Sequence, residues 1–174
     1  MKYVIISTII ISIIGTLSHF LYDISKHNKF IGLFTAVNES TWEHIKIALT
    51  PTFFFCIVDG IMFGQNPNYF LAKLSSLVII IILMPVLFYG YQFFTKRDNF
   101  ILDILIFYIV IFFSQLSFYL IINMTPINYI YNYISCIGIF LIFSGYLIHT
   151  VMPAKNFLFK DPITNKYGFK GHRK

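Results

Sequence analysis

A chain of 174 residues in which 57% are hydrophobic, 20% aromatic and only 11% charged excludes a soluble globular domain, where about a quarter of the residues carry charge. Its mean hydropathy of +0.75 and its apolar runs, each of about 20 residues, leave no room for a separate soluble domain. The net charge of +6 sits mostly in connections and the tail rather than in a basic, aromatic surface, which excludes a nucleic-acid partner.

The first apolar run covers residues 3–22 and follows a lone basic Lys2. A signal peptide has the same opening, but no small-x-small cleavage site closes this run, so it is expected to stay as a span. Residues 24–40 form a polar connection whose middle, Phe30 to Phe34, suits the headgroup interface. The second span, 41–63, has a short apolar heart and contains Pro51, which predicts a kink, or a tilted or re-entrant segment. The turn Gln65-Asn66-Pro67-Asn68 leads to a third span, 69–94, and Thr95-Lys96-Arg97-Asp98-Asn99 breaks it from a fourth, 100–122. A short loop then leads to a fifth span at 129–152. Cys56 and Cys136 lie inside apolar runs and read as small buried hydrophobes, not as a disulfide or a metal clip.

The fold expected is therefore an all-α polytopic transmembrane bundle of about five spans over residues 1–152, followed by a basic tail over 153–174. Lys26, Lys29, Lys96, Arg97, Lys155, Lys160, Lys166, Lys170, Arg173 and Lys174 all fall on one side of this topology, and the two opposite turns hold no Lys or Arg. The positive-inside rule then gives a cell-membrane protein with its N-terminus outside and its tail cytoplasmic. Lys2 opposes this assignment, while Lys46 and Lys73, just inside helix ends, are expected to snorkel. The lipid bilayer is the first partner. The tail is expected to hook back through the turn chemistry of Asp161-Pro162 and of the later Asn165 and Gly168, with its last basic residues following anionic lipids. A membrane-protein partner or a homo-oligomer stays open.

The same topology brings ionisable residues of four spans to one leaflet: His19, the stretch Glu39 to Lys46, Asp103 and His149. Such groups are costly within a membrane and tend to face a protein interior or an aqueous cavity. Ser40-Thr41-Trp42-Glu43 fits a capping box, in which Ser40 and Glu43 satisfy each other's amides, and Trp42 suits the interface. Capping needs one carboxylate, however, and Glu39, Glu43 and His44 crowd one turn beside Asn38. Should Asn38 cap instead, Glu39 and Glu43 share a helix face and suit a cation or a carboxylate pair. His44 points about 100° away from Glu43 and would meet His19 or His149.

The candidate ligand-binding residues are thus His19, Asn38, Glu39, Trp42, Glu43, His44 and His149, in a cavity opening to the cytoplasm. His19, His44 and His149, with one or two carboxylates, form a candidate site for Zn²⁺ or another divalent metal, and Glu43 is the candidate general base. No His-Glu-x-x-His, Cys-x-x-Cys, phosphate-binding glycine loop or Gly-x-Ser-x-Gly elbow supports a particular chemistry. The leading reading is binding or passage of a small polar or cationic ligand, or of a partner helix. A metal-dependent hydrolase or transferase on lipid-borne substrate and a scaffold without ligand are the alternatives. Elsewhere, Asp59 suits a site near the opposite interface. Ser114, Gln115 and Ser117 suit interhelical hydrogen bonds, and Tyr129, Tyr131 and Tyr133 an aromatic belt.

His19-Phe20-x-Tyr22, Val37-Asn38-Glu39-Ser40-x-Trp42-Glu43-His44-x-Lys46 and the tail Leu158-Phe159-x-Asp161-Pro162-x-Thr164 together resemble a family of small bacterial multi-pass membrane proteins described only as a domain of unknown function. The resemblance implies a bacterial cytoplasmic-membrane protein and supplies no substrate, reaction or cofactor. It also implies a glycine after the tail threonine, where this chain has Asn165; asparagine tolerates the left-handed conformation, so a turn is expected to survive there.

Overall fold

The structure, a computed structural model, describes residues 1–97 and 99–172. Asp98 of the basic turn, and Arg173 and Lys174 of the positive-inside argument, lie outside the described residues. The fold is an all-α bundle with five helices long and apolar enough to cross a membrane. They are α1 (Lys2–Ile24), a second span made of α3 (Thr41–Phe54) and α4 (Cys56–Phe63), then α5 (Tyr69–Thr95), α6 (Phe100–Ile122) and α7 (Tyr129–Val151). The interfacial stretch forms only a one-turn helix, α2 (Lys29–Gly32), whose first amides donate to the side chain of Asn28.

The second span is the centre of the bundle, with 56% of its apolar window buried against 17% for α7. Ile45, Ala48 and Leu49 of α3 join Ile11 of α1, Leu77 and Ile80 of α5, and Val110 and Ile111 of α6 in a closed core. α7 lies at the rim, where Ile134, Ile137, Phe140 and Leu141 are exposed, as helix faces turned to lipid require. Tyr129, Tyr131 and Tyr133 are exposed at its start.

Pro51 acts where the sequence places it. It has no N–H to give the carbonyl of Ile47, and α1 comes close at that carbonyl through Gly15. A Cβ at Gly15 would stand 2.7 Å from the Ile47 oxygen and 2.6 Å from the ring of Phe107. The span is then interrupted one turn later by a single residue, Phe55, between α3 and α4.

The two ends differ. At the end holding the 65–68 turn, Asn68 donates to the carbonyls of Met124 (3.0 Å) and Ile121 (3.2 Å) and accepts from Ile127 N–H (2.9 Å), while Asn66 donates to Ile122 (3.0 Å). These bonds satisfy carbonyls that α6 leaves free at its C-terminus. Below them lies a correction to the expected snorkelling: Lys73 is buried and pairs with Asp59, which is itself 0% exposed and also accepts from the Tyr3 hydroxyl. The lysine turns inward because Asp59, one span away, offers the partner that an ammonium buried among helices needs. Ser117 bonds Ser75 across α5 and α6, whereas Gln115 donates to its chain neighbour Ser114.

The other end gathers the 24–40 connection, the turn after α5 and the tail, and so holds the described basic residues of the connections and tail. There the Tyr146 hydroxyl donates to Leu33 O (2.7 Å) and accepts from Thr50 (2.8 Å), tying the connection to α7 and α3.

Replacing Gly15 with alanine forces the α1–α3 contact apart at backbone, with an overpacking cost of about 1–3 kcal/mol. The expected result is a melting temperature lowered by several degrees in detergent, read by helical circular dichroism. An unchanged melting temperature would remove the close approach from this account.

Candidate functional site

The N-terminus of α3 sits at a buried helix end, where its first amides need acceptors. Ser40 was the expected source. Its side chain supplies none: it makes no cap bond, and its hydroxyl is among the buried groups without a partner in the described residues. The tail supplies one for the first turn, where Leu158 O takes the Trp42 N–H (2.9 Å), and its Asp161 carboxylate takes the N–H of Glu39 just ahead of the helix (2.9 Å), while the Ser40 carbonyl takes the Glu43 N–H (3.0 Å). Asn38 closes the turn by accepting from Ser40 N–H (2.8 Å) and holds the tail by donating to Gly168 O (2.9 Å).

The tail is a hook shaped for this task. Asp161, 1% exposed, also accepts from the Thr164 hydroxyl (2.6 Å), and Lys160 and Tyr167 pair as a single antiparallel bridge. Asn165 lies at φ +58° and Gly168 at φ +53°. Asparagine therefore does hold a left-handed turn position after Thr164.

Because the tail caps α3, the carboxylates are free for other partners, and each takes a different one. Glu43 does not return to Ser40 as a capping box requires. It is 2% exposed, lies 2.6 Å from the ammonium of Lys46 and accepts the Val37 N–H at 3.1 Å. Lys46, expected to snorkel, is instead 0% exposed and also donates to Gly32 O at 3.0 Å. Two charges so buried hold each other and leave little freedom for proton transfer by Glu43. Glu39 precedes the helix, which starts at Thr41, so the two glutamates do not share a helix face.

Glu39 meets the histidines. Its Oε2 lies 3.5 Å from Nε2 of His19 and 4.0 Å from Nε2 of His44, and the two imidazoles have centroids 5.9 Å apart. Ligand atoms of all three residues fall within 4.8 Å of one another. The side chains are 29% (His19), 45% (Glu39) and 25% (His44) exposed, so the group is partly open to the surface. The tail fills the space over α3, with Phe159 and Asp161 buried in it.

His44 is oriented by its own backbone. Its Nδ1 lies 3.1 Å from Ser40 O, and a carbonyl only accepts, so Nδ1 donates there and Nε2 is turned toward Glu39 and His19. This is the arrangement in which a backbone carbonyl fixes the tautomer of a metal-ligating histidine. Asp103 of α6 accepts the hydroxyl of Tyr91.

His149 is placed elsewhere. Its ring stacks on Phe159 (5.2 Å) and lies 5.7 Å from Trp42, with Nδ1 donating to Gly145 O at 2.8 Å. Trp42 packs on Phe159 at 4.8 Å. These two site candidates clamp the tail, and the structure does not bring His149 to the His19, Glu39 and His44 group. Asn38 likewise serves the tail.

A second group that the sequence reading did not single out comprises Asp23, His27 and His172, whose ligand atoms also lie within 4.8 Å of one another. The signal was present in part, because His19, Asp23 and His27 follow one another at intervals of four along the end of α1. His172 falls in the basic tail, where no local pattern marks it.

The hydrogen bond from His19 holds the Glu39 carboxyl below the usual carboxylate range, against burial, which pushes it upward. A depressed carboxyl contributes stability that is fully present above its unfolded value, near about 4.3, and is lost as pH falls through the lower folded value. Glu39 observed by carbon NMR is expected to titrate below that value, and a midpoint at or above it would contradict the His19 contact.

The model of a family of unknown function, DUF6512, matches residues 1–169, and the chain belongs to that family. No curated protein and no solved structure matches it.

Proposed function

We propose that this integral membrane protein binds a divalent transition-metal cation of the Zn²⁺ class through His19, Glu39 and His44. The observation that carries the reading is the His44 ring, whose Nδ1 is committed to Ser40 O so that Nε2 faces Glu39 and His19. Two imidazoles and one carboxylate are a donor set for such a cation, and three protein ligands leave a position open to a small polar ligand. Metal bond lengths of about 2.1 Å bring tetrahedral donors to roughly 3.4 Å apart, a modest closure from the present spacing within 4.8 Å. Entry of the metal displaces the proton that His19 shares with Glu39.

The reading is one of cation binding at a partly exposed site, with the open position available to ligand. A hydrolase using Glu43 as base has weaker support, since Glu43 is paired with Lys46 and Val37 N–H. A chain without ligand would need the Glu39 carboxylate between two histidines for architecture alone, yet the fold is already held there by the tail and by the Glu43–Lys46 pair.

The test is Zn²⁺ binding by the metal-stripped, detergent-purified chain, compared with Glu39→Gln and His44→Ala. Loss of one ligand is expected to weaken the site by about 100-fold or more, judged against the 10- to 100-fold cost of removing an outer partner, with helical content unchanged. Equal affinity in wild type and both variants would overturn the assignment.

The described basic residues at the tail end support an N-out, C-in orientation in the cell membrane. This places the proposed metal at the cytoplasmic leaflet, with anionic lipid beside the tail's lysines. A cysteine at Asn66, in a background lacking Cys56 and Cys136, is expected to react with an impermeant thiol reagent applied to intact cells. Labelling of a tail cysteine instead would reverse the orientation.

A further inference from the structure

Asp23, His27 and His172 bring a carboxylate and two imidazoles together from opposite ends of the chain. The Nδ1 of His172 donates to Val37 O at 3.1 Å, which turns its Nε2 away from the backbone. That Nε2 lies 3.1 Å from the Oδ1 of Asp23. Nε2 of His27 stands 3.3 Å from the same oxygen, and the two imidazole centroids are only 4.2 Å apart. The ligand atoms of the three residues lie within 4.8 Å of one another, and two imidazoles with one carboxylate are a donor set that one divalent cation answers at once.

We propose that Asp23, His27 and His172 form a second divalent-cation site, which fastens the tail to the end of α1. Asp23 and His27 come from α1 and the residues just after it, and His172 from the far side of the hook. His27 sits at φ +63°, the conformation that folds the chain back so that its ring reaches Asp23. The edge of the Tyr22 ring covers the His172 ring at 5.1 Å, and Gly171 packs against Asn38, where a Cβ would meet the Asn38 side chain at 3.1 Å. His172 is thus set in place, its side chain 18% exposed, while Asp23 and His27 remain open to solvent.

The consequence is linkage between the cation and the tail. The tail caps α3 at Glu39 and Trp42, so a cation held at His172 favours the capped state in proportion to its occupancy. The inference does not depend on metal at His19, Glu39 and His44, and the two sites share no ligand.

The experiment uses the full chain in detergent with His44→Ala, which removes the first site, and Zn²⁺ as the probe. Tail opening is read as the rate of tryptic cleavage after Lys166 and Lys170. At free Zn²⁺ about ten times its dissociation constant, linkage predicts roughly tenfold slower cleavage, reversed by chelator. Adding either His172→Ala or the exposed His27→Ala is expected to abolish the Zn²⁺ effect while helical content is retained. Cleavage that ignores Zn²⁺ in the His44→Ala chain, or protection that survives in both added variants, would overturn the second site without bearing on the first.

Discussion

The free amides at the start of α3 are the constraint on which the tail end of this molecule depends. A helix that begins buried, at the edge of a membrane, cannot leave those donors to chance. The chain meets part of the requirement from more than a hundred residues away, by bringing Leu158 back over Trp42, and Asp161 takes the Glu39 N–H just ahead of the helix. The Ser40 side chain makes no cap bond, Asn38 ties the connection to the tail, and Trp42 and His149 become the walls that hold Phe159.

Two buried ion pairs then lock the bundle at opposite ends, Glu43 with Lys46 and Asp59 with Lys73. Each has further hydrogen bonds, to Val37 N–H and Gly32 O in one case and from Tyr3 in the other. That is the condition under which burying a charge pair is tolerable, and removing one partner would strand the other. Their rigidity separates roles that the sequence leaves mixed. Glu43 belongs to the scaffold, and Glu39, four residues earlier and outside the helix, is the carboxylate that reaches the histidines.

The five spans were legible because a run of about 20 apolar residues has few other uses, and their ends fall within a few residues of those expected. The meeting of His19 with His44 was legible too, since topology places both at one membrane face and the helix wheel turns His44 away from Glu43. What failed was partner choice. The spacing lets Lys46 reach back three residues to Glu43, as it does, but nothing near Lys73 in sequence distinguishes a lysine that snorkels from one that turns inward to an acidic partner one span away, Asp59. Ser40 matched a capping motif, yet a distant segment supplied better acceptors. His149 and His172 exchanged their expected importance for the same reason: the path of the tail, set by turns at Asn165 and Gly168, decides which histidine packs on Phe159 and which reaches Asp23.

The central claim, a metal held by two imidazoles and a carboxylate at the tail end of the bundle, is tested most directly by X-ray absorption on the detergent-purified His172→Ala chain loaded with one equivalent of Zn²⁺. The account predicts a shell of nitrogen and oxygen donors at about 2.0–2.2 Å, with the multiple-scattering signature of two imidazoles that falls to one when His44→Ala is added. A shell containing sulfur from a cysteine, or imidazole scattering that His44→Ala leaves unchanged, would contradict it.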